Sequence, residues 1–450
     1  MGRIFGKDGM RAIAVTDLTC ELAMQIGRAA AAVLAGHKGD KPKILIGKDV
    51  RNSSDTIEAA VCAGICSAGV DVELLGEVPT PLLAWYIRES ESSGGIMITA
   101  SPINSEYNGI KIFSSYGYRL GEDREEEIER LILDNPEKIK PVSRKTYGKV
   151  IHNTTAADEY ISHIKKFAPD NLDGFRIAID CANGCTGFTA EKIFSGLGAE
   201  ILITGNSPDG FNINTSGSTH IESLMNFVVE NECNCGIAFD GAGERCLAVD
   251  EQGNLIDGDV IIAACAREMK SEGRLRHNTI LISQANNLGL IQFAKASEIA
   301  ISSAPTGERG MIRRMIECGY SIGGDPSGHI VFPDDMPTAD GQLTGIRLLE
   351  ILKKTGSSLS EISGLIKKSP QVMFSIPIDR RFREVWKNDK AITGLIEDFE
   401  GILGEDGRVV VREAGKEPAI RIRIEGKDFS TINTMALQIA DTIKDRLKLE

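Results

Sequence analysis

The stretch GGIMITASPINSEYNGIKIF, residues 94–113, decides the fold. Ile96 to Ile98 form an apolar run that ends at Thr99-Ala100-Ser101. Pro102 and Asn104 then force a turn, and a second β-like run follows from Ile110 to Phe113. The pattern predicts a strand with Ser101 at its carboxyl end, the edge of an open α/β sheet where ligands bind. A lone serine before proline most often only satisfies a turn, so any role for Ser101 depends on the rest of the chain.

Outward from this stretch, strands and helices alternate. Residues 43–47 read as a strand, 55–68 as a helix and 70–75 as a strand. The strand 176–180 leads through a helix near 189–197 into 200–204 and closes with 236–240. A third unit begins at 279–283 and continues through 299–302, 311–318 and 320–322. The alternation implies βαβ units and a mainly parallel sheet, repeated with a period on the order of 100 residues. Charged stretches mark the joins, and Glu122 to Glu129 reads as a solvated helix face. After Lys368 the pattern changes. Residues 408–412 and 419–425 alternate, with Ile420, Ile422 and Ile424 on one face and Arg421 and Arg423 on the other, as in a half-buried antiparallel hairpin, and a helix over 431–447 would pack on it.

A chain of 450 residues is too long for one core and fits about three or four domains. No apolar run reaches the roughly 18 residues of a membrane span, and the start lacks an apolar signal core, so the expected location is cytoplasmic. Cysteines such as Cys62, Cys66 and Cys265 read as reduced core thiols. Cys181 with Cys185, or Cys233 with Cys235, lacks a second pair at zinc-ribbon spacing. A net charge of -13 argues against a nucleic-acid surface but leaves room for a local cationic cleft.

Three further polar loops follow strands as Ser101 does. They are Phe239-Asp240-Gly241-Ala242-Gly243-Glu244-Arg245, Gly323-Gly324-Asp325-Pro326-Ser327-Gly328-His329 and Arg412-Glu413-Ala414-Gly415-Lys416-Glu417-Pro418. With Phe5-Gly6-Lys7-Asp8-Gly9-Met10-Arg11 near the start, the four loops, in order and over essentially the whole chain, resemble those of the α-D-phosphohexomutases, closest to the amino-sugar branch. The resemblance implies an α/β fold of three βαβ-type mixed-sheet domains, 1–152, 153–253 and 254–368, plus a C-terminal α+β domain, 369–450, around a central cleft. It also implies a phosphotransferase that interconverts glucosamine 6-phosphate and glucosamine 1-phosphate through a phosphoserine, with Mg²⁺ and a glucose 1,6-bisphosphate-type activator. The expected partner is a small sugar phosphate, with neither nucleic acid nor membrane.

Such chemistry needs a nucleophilic oxygen, charge neutralisation, a proton shuttle and a clamp for the distal phosphate. The resemblance assigns catalysis to Ser101, Lys111, Arg11 and Arg245, and metal binding to Ser101, Asp240 and Glu244. Substrate binding falls to Asp325, Ser327, His329, Arg412, Gly415, Lys416 and Arg421. Thr306-Gly307-Glu308-Arg309 and Gly47-Lys48-Asp49-Val50-Arg51 resemble family segments that position ligands, and the segments around Asn214 and Thr219 resemble scaffold.

Every loop also departs from the family pattern. Pro102 stands where T-A-S-H-N-P has histidine, so proton transfer falls to Lys111, Arg11 or water. The D-G-D-x-D-R metal loop is reduced to Asp240, Ala242 and Glu244, which predicts weak Mg²⁺ binding. Asp325 replaces the sugar-binding glutamate of G-E-x-S-G-H. The R-P-S-G-T-E-P clamp keeps both arginines but gains Ala414, Lys416 and a repulsive Glu413. The expected enzyme is therefore an impaired mutase. A phosphohexomutase of other substrate or metal requirement, or a non-catalytic paralogue that binds sugar phosphate or a protein, stands as the alternative.

Overall fold

The computed structural model describes residues 2–35, 42–139, 141–142, 146–168, 171–304, 307–379, 382, 385–413 and 419–447. They fall into two compact units: Met1–Ala285 with Ser297–Leu365, and Asn286–Ala296 with Ile366–Glu450.

The first unit carries three mixed sheets. The first contains β1 (Met10–Ile13), β2 (Lys43–Lys48), β3 (Asp71–Glu77), β4 (Gly94–Ile98), β5 (Tyr107–Ser114) and β6 (Val150–His152), in the order β1-β5-β4-β2-β3-β6. β4 is buried at every position because helices cover both faces of the sheet, which is why it reads as a continuous apolar run. Ile96 and Ile98 pack into a core shared with the helices Cys20–Leu34 and Ser54–Ser67. Those two helices meet at Gly27 and Gly64, where an added Cβ would lie 2.3 Å from the Val61 carbonyl and 2.1 Å from the Met24 carbonyl. A methyl group at either position would force the helices apart.

The second sheet contains β7 (Arg176–Asp180), β8 (Glu200–Thr204), β9 (Cys235–Phe239), β10 (Cys246–Asp250) and β11 (Leu255–Ile256), ordered β11-β10-β9-β7-β8. The third contains β12 (Thr279–Ile282), β13 (Ala300–Ser303), β14 (Gly323–Gly324) and β15 (Ile330–Val331), ordered β13-β12-β14-β15. One rule recurs in all three. β4, β9 and β14 each run parallel to an inner neighbour, and the strand that follows each turns back antiparallel. Each polar loop is thus a hairpin tip, and the sheets are mixed where the alternation of elements pointed to mainly parallel ones.

The second unit holds β16 (Gln371–Pro377), β17 (Arg408–Glu413) and β18 (Ala419–Glu425), antiparallel in the order β16-β18-β17, with the helices Lys390–Leu403 and Phe429–Leu447. Ile420, Ile422 and Ile424 face the core and Arg421 and Arg423 lie on the outer side, as the alternation predicts. No described helix is long and apolar enough to cross a membrane, and all ten cysteines are free, with Cys181, Cys185, Cys233 and Cys235 buried.

The acidic helix, Glu122–Leu133, differs from its reading as a solvated face. Glu125 and Glu129 are buried. Glu125 pairs with Arg309 at 2.7 Å, and Glu129 accepts the backbone N–H groups of Arg3, Ile4 and Phe5. Charge density along a helix does not reveal partners more than a hundred residues away, and paired carboxylates tolerate burial.

The helix Gly341–Thr355 is capped by the buried Asp340, whose Oδ1 accepts the N–H groups of Gln342 and Leu343 and whose Oδ2 accepts the Tyr160 hydroxyl at 2.7 Å. Burial pushes this carboxyl up to about 6, although the three donors pull the other way. A folded-state value above the ordinary one means that the folded protein binds the proton more tightly. The resulting stability is complete below about pH 4 and is lost as pH rises through 6. Asp340→Asn keeps the cap acceptor and removes the titration. Urea unfolding from pH 4 to 7 is expected to show a fall of about 3 kcal/mol in the parent protein that is absent in the variant. Equal slopes would refute the assignment.

Candidate active site

Ser101 lies three residues beyond β4 and is fully buried. Its N–H donates to Thr99 Oγ1, and its hydroxyl donates to Asp240 Oδ2 at 2.7 Å and accepts from the Ala242 N–H at 3.2 Å. Asn214 stands beside it, accepting the Gly241 N–H at 2.7 Å. The Ser101–Pro102 peptide bond is cis. Arg51 donates to the carbonyls of Ile103, Asn104 and Tyr107, and Asp49 pairs with it at 2.8 Å. The Gly47–Arg51 segment, read as ligand-positioning, therefore braces the serine loop, with four of the five guanidinium N–H groups spent within the protein.

Asp240 sits at the first position of the β9–β10 tip. Its Oδ1 accepts the N–H groups of Glu244 and Arg245, which closes the tip on itself. Glu244 pairs with Lys111 of β5 at 2.5 Å, and both are buried. The β14–β15 tip is stitched alongside: Cys246 N–H donates to the Gly328 carbonyl at 3.0 Å, and the backbones of Arg245 and His329 pair as an isolated antiparallel bridge. Gly328 has φ of 84°, and a Cβ there would lie 2.1 Å from the Cys246 carbonyl, so this seam requires glycine.

The three tips enclose a cavity of about 210 Å³. Of the residues expected from the sequence, Arg11, Ser101, Lys111, Asp240, Glu244, Arg245, Asp325 and His329 line it. Ser327 does not, and its hydroxyl and N–H are spent on Asp325 Oδ1. Arg412 and Arg421 lie in the second unit as a directly opposed pair on β17 and β18. Burial, together with the Arg421 charge, pushes the Arg412 guanidinium below its ordinary value, as expected for two cations on one face. Glu413, read as repulsive to a phosphate, is neutralised by Lys387 at 2.9 Å. Gly415 and Lys416 lie outside the described residues.

Asp8, Arg119, Ser283 and Glu308 also line the cavity. Asp8 and Glu308 stand inside longer motifs of the sequence, and Arg119 follows a strand with no pattern to mark it. Arg119 is buried over the Phe113 ring, and its Nε and Nη2, like Arg11 Nε, have no partner among the described residues. Buried guanidinium donors without acceptors suit an anion such as phosphate. Burial pushes the Glu308 carboxyl up, but His329, Arg119, Lys111 and the Thr338 hydroxyl outweigh it and leave it below its ordinary value.

The three-carboxylate Mg²⁺ cage implied by the resemblance does not fit these residues. Both oxygens of Asp240 carry hydrogen bonds, Ala242 offers no ligand, and Glu244 is drawn to Lys111. Removing one partner of the buried Lys111–Glu244 pair strands the other charge. Lys111→Met is expected to cost about 3–5 kcal/mol in urea unfolding, and Lys111→Met with Glu244→Leu to regain most of it. A single variant that unfolds like the parent would show that the pair is solvated.

Models of the four phosphoglucomutase/phosphomannomutase domains match the chain: alpha/beta/alpha domain I at residues 2–138, domain II at 158–253, domain III at 257–369 and the C-terminal domain at 376–442. A phosphoglucosamine mutase from Acetivibrio thermocellus is 42% identical over 448 residues, covering 99% of this chain and 100% of the relative. Among solved structures, a phosphoglucomutase/phosphomannomutase family protein from Burkholderia thailandensis superposes with a TM-score of 0.84 at 22% identity, over 98% of this chain and 97% of the other. N-acetylphosphoglucosamine mutase of Aspergillus fumigatus, in complex with GlcNAc-6P and magnesium, gives 0.70 at 14% identity over 99% and 96%. A variant of that enzyme has been solved with glucose 1,6-bisphosphate, with a TM-score of 0.64 at 15% identity over 99% and 96%. With all four domains matched in order and full-length identity above two fifths, the chain belongs to the phosphoglucomutase/phosphomannomutase family.

Proposed function

We propose that this protein is a phosphohexomutase of the phosphoglucosamine mutase kind, which interconverts glucosamine 6-phosphate and glucosamine 1-phosphate by carrying a phosphoryl group on Ser101. The observation that carries the reading is the Ser101 hydroxyl, 2.7 Å from Asp240 Oδ2 in a cavity that also holds Arg11, Lys111 and Arg245. In the priming step Ser101 Oγ attacks a phosphorus of a glucose 1,6-bisphosphate-type activator. The Oγ–P bond forms, the sugar O–P bond breaks, and the hydroxyl proton passes to Asp240 and on to the departing sugar oxygen. Transfer to substrate reverses these steps at one sugar hydroxyl, and the chain takes a phosphoryl group back from the other end.

Arg11, Lys111 and Arg245 offset the phosphoryl charge. Asp325 recognises sugar hydroxyls, with the Nδ1 side of His329 beside it, and Ser327 acts by orienting Asp325. Arg412 and Arg421, with Gly415 and Lys416, take the distal phosphate, as the resemblance to the family's clamp implies, because guanidinium groups bind phosphate bidentately. No step is routed through Mg²⁺. Domain boundaries at 152/153, 253/254 and 368/369 belong to the same reading; the change of sheet supports the first and the last, whereas β11 beyond 254 still pairs with β10 in the second sheet.

Incubation with glucose 1,6-bisphosphate is expected to add the mass of one phosphoryl group, and Ser101→Ala to abolish the addition. No added mass in the parent protein would leave only the sugar-phosphate-binding alternative. Turnover of glucosamine 6-phosphate is expected below roughly 10 s⁻¹. Pro102→His, Ala242→Asp and Glu244→Asp together should raise it by about 10²-fold, because they restore a proton carrier and a third carboxylate. A parent rate at the ordinary level would refute the impairment.

A further inference from the structure

Glu244, Glu308 and His329 come from three separate segments: the β9–β10 tip, the first turn of the helix Glu308–Cys318, and the β14–β15 tip. One ligand atom from each lies within 4.8 Å of the other two. Glu308 Oε1 is 3.8 Å from His329 Nε2, close to the roughly 3.3 Å edge of a tetrahedron with ~2.0 Å bonds to zinc. The second observation is independent of that spacing. Glu244 is 5% exposed, and while its Oε2 holds Lys111, its Oε1 is buried with no hydrogen-bond partner among the described residues. A protonated His329 paired with Glu308 would explain the 3.8 Å contact, but it leaves this oxygen stranded at a cost of about 1–3 kcal/mol or more.

We infer that Glu244, Glu308 and His329 bind one first-row divalent cation of the Zn²⁺ class, at a site that shares only Glu244 with the aspartate-type loop and takes its other two ligands from outside it. Two carboxylates neutralise the ion, and an imidazole nitrogen selects zinc-like metals over Mg²⁺, which prefers oxygen and water. Lys111 holds Glu244 by Oε2, the oxygen away from the site, while the Thr338 hydroxyl shares Glu308 Oε1 with the ion and orients it. The cations Lys111 and Arg119 in the same cavity oppose the ion, so the affinity is moderate. Three protein ligands leave a position open to water or a phosphate oxygen. A part in phosphoryl transfer rests on the mutase reading, whereas the binding itself does not.

The test is calorimetric titration of the metal-stripped full chain with Zn²⁺ alone, followed by absorption spectroscopy after Co²⁺ substitution. The expected result is one ion per chain and a tetrahedral cobalt spectrum without a thiolate band. Affinity should fall at least about tenfold in Glu308→Gln and in His329→Gln and stay unchanged in Asp240→Asn, and Mg²⁺ should not compete. Circular dichroism establishes that each variant is folded, and Glu308→Gln suffices if His329→Gln is not. No stoichiometric binding, equal affinity in the variants, a thiolate band, or loss in Asp240→Asn would each overturn the inference. Failure of Ser101 to accept phosphate would leave it standing.

Discussion

The carboxylate of Asp240 ties together two hairpin tips that are 139 residues apart in sequence. One oxygen closes its own turn by accepting two backbone N–H groups, and the other holds the Ser101 hydroxyl. A buried carboxylate is tolerated when donors surround it, and here those donors define where the serine stands. The bracing of the serine loop by Arg51 and the seam between Cys246 and Gly328 build outward from that point.

Much of this was legible in the sequence because it is written in local periodicity. β4 announces itself as an apolar run, the last hairpin as an alternation of isoleucine with arginine, and the loops as polar punctuation between strands. What escaped depends on distant partners. Glu125 and Glu129 looked solvated because nothing nearby reveals Arg309 or the backbone at Ile4. The segment ending at Arg51 read as ligand-positioning because the three carbonyls that Arg51 holds belong to a loop some fifty residues later. Arg119 has no pattern at all, and only the fold brings it beside Glu308.

The departures from the family pattern are physically linked. Ala242 removes a carboxylate beside Ser101, and the longer Glu244 reaches Lys111. A site that has lost one anion has thus had a second one engaged by a cation, which keeps the interior charge balanced without a metal held between aspartates. The sequence shows these substitutions as separate changes, and the packing joins them.

The opposed arginines of β17 and β18 have a consequence for the second unit as a folded object. Two guanidinium groups at one cross-strand position weaken the hairpin that carries them, and the adjacent Glu413 is engaged by Lys387. The charge repulsion is borne by the apolar face beneath, where Ile420, Ile422 and Ile424 lock the hairpin to the helix Phe429–Leu447, so the register of this small sheet is held from its buried side alone.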